Sequence, residues 1–417
     1  MDKAILVGLD LNKYNMNASI KELIGLAKAL NIEVLLTMTQ KASRPDGATY
    51  VGSGKVLEIK QAVDALNADM VIFDDELSPA QIRNLEEILD TQIIDRSFLI
   101  LSIFSERAKT KGAVLEVSLA QQKYLLPRLI GMGKILSRQG GGSYNAKGPG
   151  ETKLELDRRT IENKIIKLER QIKVLETQRD TSRKTRSSSN IPLVSLVGYT
   201  NAGKSATLNQ ILKLFEIDNK NVFEKDMLFA TLDTTARRIT KKGYPTFIIT
   251  DTIGFLTRLP HEFIKSFKST LSEVSNSNLI LHIVNGIDPE KALHIQTTLD
   301  VLKELNADAI NQITVYTHAD LLDERAPDYE FWISNKTGYH IQGLVESIYE
   351  VLFGSMISTK LEIPYDEQHL IHTLNEQTKV LNTEYLNEHI LVSTLMYQKQ
   401  LEPYKPYIVK TGYSNNQ

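Results

Sequence analysis

The chain has 417 residues, 42% of them hydrophobic, with 49 basic against 51 acidic side chains and a formal net charge of −2. This length exceeds one core and suits three modest domains, and the composition excludes a disordered chain. With no cysteine there is no disulfide, thiolate metal site or cysteine nucleophile; near-neutral charge confines nucleic-acid binding to a local basic surface, and no apolar run reaches membrane-spanning length.

Met1 to Val7 runs straight into a strand pattern rather than a signal peptide, so the expectation is a cytoplasmic protein with no membrane partner. Over the first 110 residues, strand runs at Ala4 to Leu9, Ile32 to Thr37, Met70 to Phe73 and Gln92 to Ile94 alternate with helical spacing at Ser19 to Leu30, Lys55 to Leu66 and Pro79 to Leu89. This predicts an N-terminal α/β domain over 1–110, a small parallel sheet flanked by helices. Tyr50 to Lys55, Y-V-G-S-G-K, lacks the full spacing of a phosphate loop and reads as a tight turn. Asp74, Asp75 and Glu76 follow a strand and read as a solvated helix cap.

From residue 111 the pattern turns helical. Val117, Ala120 and Tyr124 share a face within Val114 to Pro127, and Leu154, Ile161, Ile165, Leu168, Ile172 and Leu175 form a seam running from Glu151 towards Ser182. These predict a long antiparallel helical hairpin over 111–182, its second arm of about 30 residues reaching roughly 45 Å. Its tip is the Gly-rich loop 131–150. Between Val117 and Gly150 no residue is acidic, while Lys123, Arg128, Lys134, Arg138 and Lys147 are cationic. Glycines allow close approach to a folded polyanion, cations neutralise phosphates and Tyr144 can stack on an unpaired base, so the tip is a candidate RNA contact; a mobile basic linker is the plainer alternative. Residues 183–190 read as a hydrophilic linker.

The most informative stretch lies in 191–355. Pro192 to Val197 reads as a buried strand and Ser205 to Leu214 as a helix; between them stands G-x-x-x-x-G-K-S, with Gly198, Asn201, Ala202, Gly203, Lys204, Ser205 and then Ala206. The glycines let consecutive N–H groups turn inward at a helix N-terminus, Lys204 reaches the β- and γ-phosphates, and the Ser205 hydroxyl is placed for Mg²⁺. Leu228 to Arg238 is Thr-rich and has the composition of a loop ordered by γ-phosphate and Mg²⁺, a hydroxyl there being a second ion ligand. The strand Phe247 to Asp251 ends in D-x-x-G, where Asp251 can hold Mg²⁺ and the Gly254 N–H can sense the γ-phosphate. Ile313 to Asp320 ends another strand in an acid. Its carboxylate can accept both donors of guanine's Watson-Crick edge, a pair that adenine lacks. Phe331 to Lys336, including Ser334 and Asn335, supplies a strand and a polar turn to support the base. The prediction is a central P-loop GTPase with a doubly wound sheet, binding GTP or GDP and Mg²⁺. Leu361 to Tyr365, a helix over Asp366 to Leu381 and a strand at Ile390 to Met396 predict a small α+β C-terminal domain over 356–417, with no chemistry of its own.

Together these residues resemble the HflX-type GTPases, of the same broad class as Era and Obg. The likeness covers almost the whole chain: D-D-E-L-S-P-A-Q-I-R-N at 74–84, R-A-K-T at 107–110, L-A-Q at 119–121, L-P-R at 126–128, G-P-G-E-T at 148–152 with D-R-R at 157–159, the phosphate loop at 198–205, F-A-T-L-D at 229–233, and D-T-I-G-F at 251–255 with L-P-H at 259–261. The resemblance implies a monomeric GTP hydrolase that binds the large ribosomal subunit (50S), sets its hairpin near the peptidyl-transferase region with rRNA contacts through Lys134, Arg138, Tyr144 and Lys147, and splits or rescues stalled 70S ribosomes. It implies Thr231 as the switch-loop ligand for Mg²⁺ beside Ser205 and Asp251, with Thr234 and Thr235 left open, and Lys204, Gly254 and Thr231 as the catalytic set. The C-terminal domain becomes a ribosome contact by the same likeness; on sequence alone it reads equally as a packing cap.

Several positions depart from common GTPase patterns. Phe255 follows the D-x-x-G glycine where many GTPases carry a water-positioning glutamine; this is usual for HflX-like chains and implies slow hydrolysis until a partner completes the site. Thr317-His318-Ala319-Asp320 stands where N-K-x-D is usual, and Asn335 where S-A-K has alanine. Thr317 lacks an amide's contacts and His318 replaces an alkyl stem that packs on the base, while guanine selection stays with Asp320. With the unusual Tyr144 to Lys147 loop, these departures imply a divergent paralogue of the antibiotic-resistance type. Two further readings stand beside this one: an ATP-dependent RNA remodeller using the N-terminal domain near Gly52 to Lys55, and a nucleotide-switched binding module whose turnover is incidental.

Overall fold

A computed structural model describes residues 1–129, 153–188, 191–216, 235–252, 254–256, 258, 273–322 and 331–409. The chain groups into two compact units: Met1–Ser182 with Lys225–Asp233 and Leu256–Thr270, and Arg183–Glu224 with Thr234–Phe255 and Leu271–Gln417.

In the first unit β1 (Lys3–Asp10), β2 (Glu33–Lys41), β3 (Met70–Phe73) and β4 (Gln92–Asp95) form a parallel sheet in the order β2-β1-β3-β4. Ile5, Val7 and Leu9 of β1 and Val71 and Phe73 of β3 enter one apolar core with Ile59 and Val63 of α2 (Ser53–Leu66) and Leu85 and Leu89 of α3 (Pro79–Leu89). Continuous apolar runs are what central parallel strands, covered on both faces, require. The start of α3 is fixed by Pro79 in its first turn and by a capping box, Ser78 Oγ accepting from Gln81 N while Gln81 Oε1 accepts from Ser78 N. Around the sheet also lies α1 (Met16–Ala29), capped by Asn15. The sequence pattern gave no sign of α4 (Arg96–Arg107), which begins where Asp95 accepts from Phe98 N at 2.8 Å. The turn at Tyr50 is tight as predicted: Tyr50 has φ 65° and exchanges backbone hydrogen bonds with Asp46, while Lys55 pairs with Glu58 of its own helix.

The acidic triplet is not a solvated cap. Asp74 is 0% exposed. Its Oδ1 accepts from Arg96 Nη1 at 2.9 Å; its Oδ2 accepts from Ser19 Oγ at 2.5 Å and from Arg258 Nη2 at 2.9 Å. Asp75 takes Arg258 Nη1 at 2.7 Å together with the Tyr14 and Tyr50 hydroxyls, and Arg258 lies 4.2 Å over the Tyr14 ring. Burial pushes the Tyr14 hydroxyl up to about 12. A buried carboxylate needs such partners to stay ionised. Glu76 binds Arg128 at 2.8 Å, and Arg128, itself buried, stacks 3.7 Å over Tyr124 and lies 3.7 Å from Asp95. Arg128, read above as a cation for RNA, is thus held inside the protein, and Lys123 lies 2.9 Å from Glu169. That ion pair joins α5 (Lys111–Leu125) to α6 (Lys153–Ser188), a helix that continues through 183–188 where the sequence reads as a linker.

The second unit holds β5 (Leu193–Val197), α7 (Lys204–Leu214), β6 (Thr235–Ile239), β7 (Phe247–Asp251), β8 (Leu279–Asn285), α8 (Lys291–Glu304), β9 (Gln312–Thr317), β10 (Phe331–Trp332) and α9 (Ile341–Phe353). The sheet order is β10-β9-β8-β5-β7-β6, parallel except where β6 runs against β7. Connections leave β5 in both directions, so a switch point opens at the carboxyl ends of β5, β7, β8 and β9. Val194, Leu196, Ile249, Leu281 and Val315 pack with Leu208 and Ile211 of α7 and Leu344 and Ile348 of α9.

The C-terminal part adds β11 (Met356–Pro364), α10 (His369–Gln377), β12 (Lys379–Tyr385) and β13 (His389–Tyr397), an antiparallel sheet in the order β11-β13-β12. The predicted helix to Leu381 stops at Gln377, and β12 takes over as a polar edge strand whose half-exposed residues hid its period. Tyr397 stacks on Tyr349 at 5.5 Å, and Lys399 Nζ donates to Leu352 O at 2.7 Å, so this part packs against α9. No helix among the described residues is long and apolar enough to cross a membrane.

Candidate nucleotide site

The loop after β5 is shaped by backbone that only glycine allows. Gly198 has φ 148°, and a Cβ there would meet Ile283 O at 2.1 Å. Gly203 has φ 96° and opens directly into α7, whose first residue is Lys204. Asn201 is exposed in the left-handed region at φ 60°, while Ala202 is buried and Ala206 half-buried. Lys204 folds back over the loop. Its Nζ donates to Tyr199 O at 2.8 Å and Gly198 O at 3.1 Å, and burial lowers its pKa to about 8 against the opposing pull of Asp251.

Asp251 ends β7, 0% exposed, and its Oδ2 accepts from Ser205 Oγ at 2.6 Å. A hydroxyl and a carboxylate brought together at a helix N-terminus, beside a desolvated ammonium, match what a hard divalent ion and a polyphosphate need. Gly254 leaves the space this requires: a Cβ there would lie 2.9 Å from Lys204 Nζ and 2.6 Å from Thr200 Cα. The D-x-x-G tail is strapped to the phosphate loop by main chain, Phe255 N donating to Gly198 O at 3.1 Å and Thr200 N to Phe255 O at 2.8 Å. The Phe255 side chain is 2% exposed and apolar, so it offers nothing to orient water.

The residues expected to read the base gather at the ends of β9 and β10. His318 takes the left-handed turn at φ 66°, its Nδ1 2.9 Å from Thr317 Oγ1. Asp320 is exposed; the Ser334 hydroxyl donates to its Oδ1 at 2.6 Å and holds the carboxyl below its usual range, with Lys336 and His318 adding to the effect. Ser334 Oγ in turn accepts from Thr337 N at 3.1 Å, fixing the turn that contains Asn335 and the exposed Lys336. Thr317, expected to lack an amide's contacts, still reaches the phosphate loop: Oγ1 lies 3.0 Å from Ala202 O. Thr231, Thr234, the Thr235 side chain, Lys134, Arg138, Tyr144 and Lys147 lie outside the described residues.

Sequence reasoning passed over His282, which β8 places opposite Val197, 2% exposed. A lone histidine in an apolar strand carries no motif. Burial, with the Lys204 charge adding to it, lowers its pKa to about 4. Between pH 4 and 6.5 the unfolded chain binds a proton that the folded chain refuses. The stabilisation is therefore complete above pH 6.5 and lost as pH falls towards 4, on the order of 3 kcal/mol. His282→Leu is expected to flatten this acid limb in urea midpoints taken at pH 7, 5.5 and 4.5; an unchanged slope would reject the assignment.

Comparison with known proteins follows the same division of the chain. Residues 17–105 match the family described as GTP-binding GTPase N-terminal, 107–186 its Middle Region, and 193–318 the 50S ribosome-binding GTPase family. The chain is 39% identical over 393 residues to the GTPase HflX of Caldanaerobacter subterraneus, covering 94% of this chain and 90% of that one. It is 37% identical over 417 residues to the GTPase HflX of Alkalihalophilus pseudofirmus (96% and 97% covered) and 36% over 401 residues to that of Escherichia coli (94% and 92%).

Proposed function

This chain belongs to the HflX family of GTPases and hydrolyses GTP, and from that premise we propose that it works on the ribosome, binding the 50S subunit and splitting or rescuing stalled 70S particles. The observation that carries the site reading is the meeting of Lys204, Ser205 and Asp251 where β5 and β7 end. Lys204 and the loop N–H groups stabilise charge on the phosphates, the Gly254 N–H reports the γ-phosphate, and Asp320, oriented by Ser334, selects guanine. Ser205 and Asp251, with Thr231 from the switch loop, would hold Mg²⁺, which supplies neutralisation of the β- and γ-oxygens. Thr317, His318, Asn335 and Lys336 frame the base.

In this reading the parts 1–110 and 111–182 serve the ribosome, with Lys134, Arg138, Tyr144 and Lys147 on rRNA, while 191–355 is the switch and 356–417 its packed appendage. The buried Phe255 leaves the hydrolytic water without a side chain to orient it, which supports slow turnover in isolation. The departures at 144–147, 317–318 and 335 support the resistance-type paralogue, acting as a cytoplasmic monomer.

The expected result is that purified 50S subunits accelerate GTP turnover severalfold or more, and that GTP with this protein converts 70S into subunits on a sucrose gradient. A turnover rate indifferent to 50S would reject the ribosomal role while leaving the GTPase standing.

A further inference from the structure

Two positions of the second unit depart together from the pattern of related GTPases: Thr317 stands where asparagine is usual and Asn335 where alanine is usual. They reach the same short piece of phosphate loop. From β9, Thr317, 1% exposed, has its Oγ1 3.0 Å from Ala202 O and 3.2 Å from Val284 O. A hydroxyl has a single donor, so position 317 cannot offer the two N–H groups of a carboxamide.

Asn335 offers them from the other base loop. Its Nδ2 lies 3.3 Å from Gly203 O and 3.1 Å from Thr207 Oγ1, and Thr207 Oγ1 itself donates to Gly203 O at 2.9 Å. The turn is held in place there, since Gln210 Nε2 donates to Asn335 O at 2.5 Å. Steric fit agrees: a Cβ on Gly203 would sit 3.1 Å from Asn335 Nδ2 and 3.4 Å from Thr317 Cγ2, so the two side chains flank one glycine. The carbonyls they hold, those of 202 and 203, immediately precede Lys204 and the first turn of α7.

We infer that Asn335 is a positioning residue for guanine nucleotide: the carboxamide missing from 317 is supplied at 335, where it fixes the phosphate loop against the turn carrying Ser334 and Lys336. The inference rests on the reading of 317–320 and 334–336 as the base-binding loops. Alanine at 335 removes the carboxamide's bonds to Gly203 O and Thr207 Oγ1; Gly203 O keeps its donors within α7, Thr207 N and Oγ1, but the start of that helix is no longer tied to the base loop. Affinity suffers, whereas the choice of base, made at Asp320, does not.

The test is titration of a fluorescent GDP analogue in the full chain with magnesium present, alongside steady-state GTP turnover. Asn335→Ala is expected to raise the Kd for GDP about tenfold, and the KM for GTP with it. Thr317→Asn placed in that background recreates the usual pair and is expected to return the Kd to within about twofold of wild type, a non-additive cycle. The ratio of GDP to IDP affinity should hold in both variants and fall only in Asp320→Asn. Equal GDP binding by wild type and Asn335→Ala, or a double variant as weak as Asn335→Ala, overturns the inference while the guanine site stands. A wild-type chain that does not bind GDP, or an Asp320→Asn variant with unaltered preference, overturns the underlying reading and the inference with it.

Discussion

Lys204→Met is expected to lower GTP turnover at least about a hundredfold, the scale of removing one preorganised charge from a reacting phosphate, while the nucleotide-free protein becomes more stable. Both effects have one cause. The ammonium is buried, bonded to two loop carbonyls, and its pKa has fallen to about 8, so the fold keeps a charge that water would solvate better. Between pH 8 and 10.5 the unfolded chain retains this proton and the folded chain releases it, so wild-type stability rises with pH across that window. The Met variant should lack the rise, and near pH 7 should gain up to about 3 kcal/mol, less the two hydrogen bonds it forfeits. Urea midpoints at pH 7 and 10 with single-turnover GTP hydrolysis check both; a variant that loses activity and stability together would show that Lys204 is chiefly structural.

Asp74→Ala is expected to destabilise the first unit by about 3–5 kcal/mol, because breaking a buried ion pair strands the charge left behind. Among the described carboxylates, Arg96, with its side chain 3% exposed, would keep Glu22 at 2.6 Å and Arg258 would keep Asp75. Asp75→Ala should be milder, on the order of 1 kcal/mol, since the Asp75 side chain is 24% exposed and Arg258 retains Asp74. Hydrogen exchange of the β3 and α4 amides, read with denaturant midpoints, separates the two variants. Equal losses would mean that burial of Asp74 does not govern the cluster.

The contrast between these two residues shows what the sequence could display. The placement of Lys204 and Asp251 was legible because one opens a helix after a glycine loop and the other ends a strand, and such local patterns survive in one dimension. Asp74 was misread since its partners Arg96 and Arg258 lie 22 and 184 positions away. Arg128 failed for the same reason: a cation in a stretch without acids looks free until Glu76 and Asp95 fold back onto it. β3 and α3 matched to the residue because an all-apolar run and a Ser-Pro cap mark their limits, whereas β12, with Asn382, Glu384 and Tyr385 exposed or half-exposed, carried no period to read. Asn335 was noticed as a departure, yet its use depends on Gly203, 132 positions upstream.

Arg258 follows Gly254 by four positions, and four residues span at most about 14 Å even when drawn out straight. One end of that tether is the glycine assigned to register the γ-phosphate; the other is anchored by two carboxylates, a serine hydroxyl and a tyrosine ring. If the glycine moves on hydrolysis as proposed, a displacement longer than that tether allows becomes a mechanical load on a partly buried ionic knot.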